Sequence, residues 1–184
     1  MTHATDPVEL TRTLVAFDTI NPPGNERPCA EYLGKLLDAA GFAVTYHEFD
    51  DARTSLVARI GGSDDVAPLC FTGHIDTVPL GAAPWSVDPF AGDISDGRLY
   101  GRGTSDMKSG VAAFVVACTQ LADDLARGPG VVLVITAGEE TGCEGAYHMA
   151  GLGNVLGKAG AIVVAEPGRQ IQGKKFTFAQ NVFT

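Results

Sequence analysis

The chain has 184 residues, enough for one sizeable hydrophobic core. Hydrophobic residues make up 45% and charged residues 19%, a globular composition that excludes a disordered chain. The formal net charge of -9 argues against a nucleic-acid partner, which needs a basic surface, and no apolar run approaches the length of a membrane span.

The first residues, Met1 to Asp6, have neither a basic start nor an apolar stretch, which predicts no secretory signal and a cytoplasmic location. Cys29, Cys70, Cys118 and Cys143 form no C-x-x-C pair. They read as reduced thiols, mostly buried as small apolar groups.

Asp6-Pro7-Val8-Glu9 predicts a helix start, with Asp6 as cap, Pro7 at the first helical position and Glu9 completing a capping box. Asn21-Pro22-Pro23-Gly24 reads as a loop. A second helix is expected from about Glu26 to Ala40, with Ala30, Leu33, Leu37 and Ala40 at helical spacing and Gly41 as its stop. Strands follow at 43–49, 55–60 and 69–73, and a hairpin about Asp96-Gly97. A long helix is predicted from Lys108 to Ala126. Val131 to Thr136 is a continuous apolar run, as expected at the centre of a sheet covered on both faces. A short helix near Gly145 to Ala150 and another buried strand at 161–165 complete the reading. Strands alternating with helices predict an α/β layered fold with a mixed, mostly parallel sheet flanked by helices. In such sheets ligands collect at the carboxyl ends of the strands.

Several chemistry-bearing residues fall at those ends. His74 and Asp76 stand two apart in Gly73-His74-Ile75-Asp76-Thr77-Val78-Pro79. A carboxylate beside a ligating imidazole can accept its other N–H and fix the tautomer. An isolated H-x-D is more often a strand-end histidine with a turn aspartate; the full string favours the ligand. Asp106, after Gly101-Arg102-Gly103-Thr104-Ser105, opens a helix and suits either an N-cap or a carboxylate between two cations roughly 3.5–4 Å apart. Glu139 and Glu140 close the apolar strand. They reach one site only if the backbone turns, which Gly138 and Gly142 permit. One can ligate while the other acts as general base. Glu166 follows the last strand and precedes Pro167. His3, His47 and His148 are expected to be structural. Trp85 and Phe90 either wall a pocket or pack.

These three motifs, in this order, resemble the zinc aminoacylase and carboxypeptidase family that includes acetylornithine deacetylase, succinyl-diaminopimelate desuccinylase and glutamate carboxypeptidases. The resemblance runs from about Asp6 to Pro167. It implies a zinc-exopeptidase-like fold, incomplete here, and hydrolysis of an amide bond of an N-acyl amino acid or small peptide by a water held between two divalent metal ions, zinc with cobalt or manganese as alternatives. His74 and Glu166 would hold one metal, Asp106 would bridge, and Glu140 would hold the second. Asp76 would orient His74, and Glu139 would be the base. A cis peptide after Asp106 is a further implication.

The family's catalytic domain is interrupted by a lid or dimerisation domain, after which the chain returns with a final histidine ligand. Residues 1–170 therefore correspond to the N-terminal part of the catalytic domain, and 171–184 to the start of the connection to the lid or to an aberrant tail. Family members are often homodimers through that lid. The expectation for the 184 residues alone is impaired activity. Two alternatives compete: a truncated, non-catalytic binding or structural module, and a serine acyltransferase built on Ser105-Asp106-Met107-Lys108, an S-x-x-K match without the accompanying S-D-N or K-T-G.

Overall fold

A computed structural model describes residues 6–167, 170–171 and 174–175. His3 and the segment 176–184 lie outside the described residues. The first helix, α1 (Pro7–Val15), begins as predicted, with the Asp6 carboxylate accepting the Val8 N–H. Glu9 turns to Arg12 rather than completing a capping box. Helix α2 (Arg27–Ala39) ends before Gly41, whose φ of 91° continues no helix.

Strands β1 (Ala43–Asp50), β2 (Arg53–Ile60) and β3 (Leu69–His74) follow, then the two-residue strands β4 (Ile94–Ser95) and β5 (Arg98–Leu99) of the expected hairpin. The predicted long helix is two: α3 (Lys108–Gln120) and α4 (Ala122–Ala126). Leu121, with ψ of 11°, breaks the helix, and the turn beyond it lets Ala122 and Leu125 pack on the core. Strand β6 (Val131–Thr136), helix α5 (Glu144–Gly151) and strand β7 (Ala161–Val164) follow, then β8 (Gln170–Ile171) paired with β9 (Lys174–Lys175).

The main sheet has the order β1-β2-β6-β3-β7. β2 is antiparallel to both its neighbours, while β6, β3 and β7 are mutually parallel. Four of the five strands thus share one direction, as the mostly parallel reading requires. β6 lies at the centre and is buried at every position. Val131, Leu133 and Ile135 face a core formed with Leu10 and Leu14 of α1, Leu33 and Leu37 of α2, and Val111 and Val115 of α3. Val132 and Val134 face a second core with Val57, Cys70 and Met149 of α5. An apolar residue at every position follows from having both faces covered.

The last strand of the main sheet, β7, departs from the expectation of a buried strand. Among the described residues β7 lies at the edge of the main sheet, and Ile162, Val163 and Val164 are 50%, 44% and 56% exposed. An apolar run of that length reads alike at a covered centre and at an edge. All four cysteines are free, and three are buried. Among the described residues no helix is long and apolar enough to cross a membrane.

Candidate metal centre

Because β3, β6 and β7 are parallel and adjacent, their carboxyl ends open onto one edge. His74 closes β3, Glu139 and Glu140 follow β6, and Glu166 follows β7. Helix α3 brings the preceding loop, with Asp106, to the same edge. On α3 a side chain at Gly110 would strike the Ala165 carbonyl, so glycine allows the stretch leading to Glu166 to pass closely.

The six predicted site residues converge. His74, only 1% exposed, is the hub. Its Nε2 lies 3.1 Å from Asp106 Oδ1, 3.3 Å from Glu166 Oε1 and 3.9 Å from Glu139 Oε2. One ligand atom each from His74, Asp106 and Glu140 fall within 4.8 Å of one another. Asp106 is not the helix cap: Met107 holds that position, the Asp106–Met107 peptide is cis, and the Asp106 carboxylate turns to His74.

The His74–Asp76 relation differs in detail from the expected carboxylate contact. Nδ1 lies nearest the backbone carbonyl of Asp76, at 2.9 Å, with carboxylate Oδ1 at 3.3 Å. The carboxylate has other work as well: Oδ1 accepts the Glu139 N–H and Oδ2 the Glu140 N–H, each at 3.0 Å, and Oδ2 also accepts from Asn21 Nδ2. Asp76 therefore ties the loop of the acid pair to the imidazole. Gly138, with φ of 71°, makes the turn that aims both acids at the site.

The electrostatics are those of crowded acids. Burial alone would lower the pKa of His74, but Asp76, Glu166 and Glu139 push it up to about 9. Burial would raise that of Asp76, but hydrogen bonds from His74, Asn21 and the two backbone N–H groups hold it low. Glu140 and Glu166 are raised, first by burial and then by neighbouring carboxylates, against the opposing pull of His74. A neutral imidazole nitrogen facing several carboxylate oxygens is a donor set for a borderline divalent cation, whose charge would relieve the repulsion. The residues present fit such a group.

The S-x-x-K alternative fails on geometry. Lys108 is buried, and its Nζ donates to the carbonyls of Leu14 and Phe17 at 3.0 and 2.9 Å, while Ser105 is exposed. Cys143 Sγ donates to Glu139 Oε1, and burial and that carboxylate keep the thiol protonated. Trp85 packs under Arg102 and donates to the Leu80 carbonyl. His47 and His148 stand apart from the site. A cavity of about 500 Å³, lined by Arg59, Gly61, Asp64, Pro129 and Lys158 among others, contains none of the site residues.

Sequence reasoning passed over Asn21, Glu26, Arg53 and Thr141. Asn21 was legible only as part of a Pro-rich loop. It reaches Asp76 because residues 19–21 run beside 75–77, with the Thr77 N–H donating to Thr19 O and the Asn21 N–H to Thr77 O. No local pattern signals that pairing.

Fold and donor set together define an α/β domain with a candidate divalent-metal centre at the carboxyl edge of its sheet. The sequence profile of peptidase family M20/M25/M40 matches residues 70–178, and the chain belongs to that family, a family of hydrolases. It is 42% identical over 139 residues to succinyl-diaminopimelate desuccinylase of Wolbachia pipientis wMel, an alignment covering 74% of this chain and 34% of that protein. The chain thus spans about a third of the length of the curated relatives it matches.

Among solved structures, an M20 family metallo-carboxypeptidase from Sulfolobus solfataricus superimposes with a TM-score of 0.70 at 22% identity, over 89% of this chain and 38% of that one. A Bacillus subtilis protein described as a dinuclear metal-binding M20 peptidase gives 0.57 at 19% identity, over 88% and 42%. At these identities the superpositions speak for the fold.

Proposed function

We propose that this chain is the cation-holding part of a metal-dependent hydrolase that cleaves an amide bond of an N-acyl amino acid or small peptide. The observation that carries the reading is the convergence on His74 Nε2 of carboxylates from three separate segments, with Nδ1 facing Asp76. His74 and Glu166 would hold one divalent cation and Glu140 a second, with Asp106 as a ligand shared between the two sites. Zinc is the first candidate, with cobalt or manganese able to replace it. When bound, such cations supply Lewis acidity to a carbonyl and to water.

The chain's own residues supply the rest. Asp76 keeps a proton on His74 Nδ1, which leaves Nε2 free as a donor of its lone pair. Glu139, exposed enough to meet solvent at 39%, takes a proton from the attacking water and delivers it to the departing amine nitrogen. The free cysteines support a reducing, cytoplasmic setting. The desuccinylase named among the relatives makes succinylated diamino acids the first substrates to assay, beside acetylated amino acids and dipeptides.

The test is zinc titration of the chain together with hydrolysis assays before and after chelation. Reversible loss of turnover with the metal supports the reading. Turnover indifferent to chelator overturns it.

A further inference from the structure

The two acids that close β6 are neighbours in sequence, and neighbours in an extended strand point to opposite faces. Gly138 allows the turn that aims both at His74, but a permitted turn is not a held one. What holds it is a circuit of hydrogen bonds around the loop 138–144.

On the sheet side of the loop, the Gly138 N–H donates to Glu26 Oε1 at 3.2 Å. Glu26 is fully buried, and Arg53 Nε donates to both its oxygens at 3.2 and 2.9 Å. Arg53 Nη2 continues to Glu144 Oε2 at 3.4 Å, and its guanidinium lies 5.0 Å from the Phe49 ring centre. Glu144 Oε2 accepts from the Thr141 hydroxyl at 2.7 Å, and that hydroxyl accepts from Asn21 Nδ2 at 2.8 Å. Asn21 Nδ2 also donates to Asp76 Oδ2 at 2.9 Å, and the Asp76 carboxylate receives the N–H groups of Glu139 and Glu140.

The proton count closes. Asn21 spends its two amide hydrogens on Asp76 and Thr141, and Thr141 spends its single hydrogen on Glu144. The fit at Gly138 is tight as well: a side chain there would come within 2.9 Å of Arg53 Nη2.

We infer that Asn21, Glu26, Arg53, Thr141 and Glu144 are positioning residues that fix the orientation of Glu139 and Glu140 by clamping the loop between a buried ion pair and Asp76. None of the five touches the reacting atoms. They act through backbone N–H groups and through Asp76, so they set how well the acids reach the cation and not whether the acids exist. The inference rests on the cation reading proposed above.

Thr141 gives the cleanest test because it is exposed and Thr141→Val keeps its shape while removing the hydroxyl at the middle of the relay. The probe is cobalt(II), titrated into the metal-free full-length protein and followed by its visible absorption. The metal-free thermal midpoint of T141V is expected to match the wild type, while cobalt affinity falls about tenfold to a hundredfold and the visible band changes shape. Thr141→Ser, which restores the hydroxyl, is expected to restore both. His74→Ala serves as the control. If H74A loses cobalt but T141V keeps wild-type affinity and spectrum, the cation reading stands and the positioning inference is overturned. If H74A binds cobalt like the wild type, the cation reading fails and takes the inference with it.

Discussion

Replacing Arg53 with methionine isolates the buried part of the loop clamp. Methionine keeps most of the side chain's length and apolar packing but removes its charge and donors. Arg53 makes two contacts to Glu26 and one, at 3.4 Å, to Glu144. Glu144 is 46% exposed, so its share is a surface pair worth about 0–1 kcal/mol. The contact with Phe49 adds about 0.5–1 kcal/mol. The Glu26 contact dominates, because Glu26 is fully buried and, among the described residues, keeps the Gly138 N–H in place of the guanidinium. Breaking a buried pair by removing one member costs about 3–5 kcal/mol. At about 2–4 °C per kcal/mol for a chain of this size, the thermal midpoint of R53M falls by about 6–20 °C.

Burial already holds the pKa of Glu26 above its ordinary value, against the pull of Arg53. A carboxyl raised in the folded state contributes stability that is present below its unfolded pKa and lost as pH rises through the folded one. R53M raises Glu26 further, so its penalty is larger at pH 8 than at pH 5. Adding Glu26→Gln leaves an acceptor for the Gly138 N–H without a stranded charge, so E26Q/R53M recovers more than half of the loss. Urea unfolding of the single and double variants at both pH values is the assay. A loss under 0.5 kcal/mol in R53M, or a double variant worse than the sum of its singles, refutes the argument.

Three other outcomes are expected. Glu139→Ala keeps cobalt affinity within a fewfold but lowers turnover of the full-length protein by about two to four orders of magnitude, read by steady-state kinetics; unchanged turnover removes Glu139 as base. His74 is raised to about 9, so in the metal-free protein its contribution to stability is full below about pH 6.5 and is lost up to pH 9, with a slope of up to about 1.4 kcal/mol per pH unit. A cation competes for the Nε2 proton, so cobalt affinity measured between pH 6 and 9 rises with pH. Ser105→Ala leaves turnover unchanged while a chelator abolishes it, because the Lys108 amine is held by the Leu14 and Phe17 carbonyls and activates no hydroxyl.

The parts of this site legible in the sequence share one property: each is signalled within a few residues. His74 and Asp76 stand two apart, Glu139 and Glu140 are adjacent beside a glycine, and each group ends an apolar strand, so periodicity alone brings them to the sheet edge. Elements failed where the deciding contact was distant. β7 reads like β6 in composition, yet one lies at the edge and the other at the centre, because strand order is set by crossover connections and not by the strand's own residues. Asn21, Arg53 and Thr141 failed for the same reason: 120 residues separate Asn21 from Thr141, and 91 separate Arg53 from Glu144. Glu26 was legible only as the start of a helix, where acids are ordinary. The groups that supply donors thus announce themselves in short motifs, whereas the groups that aim those donors are recruited by the fold. A chain with every motif intact can therefore hold its acids in the wrong direction, and a substitution such as T141V, which alters no motif acid, tests the difference.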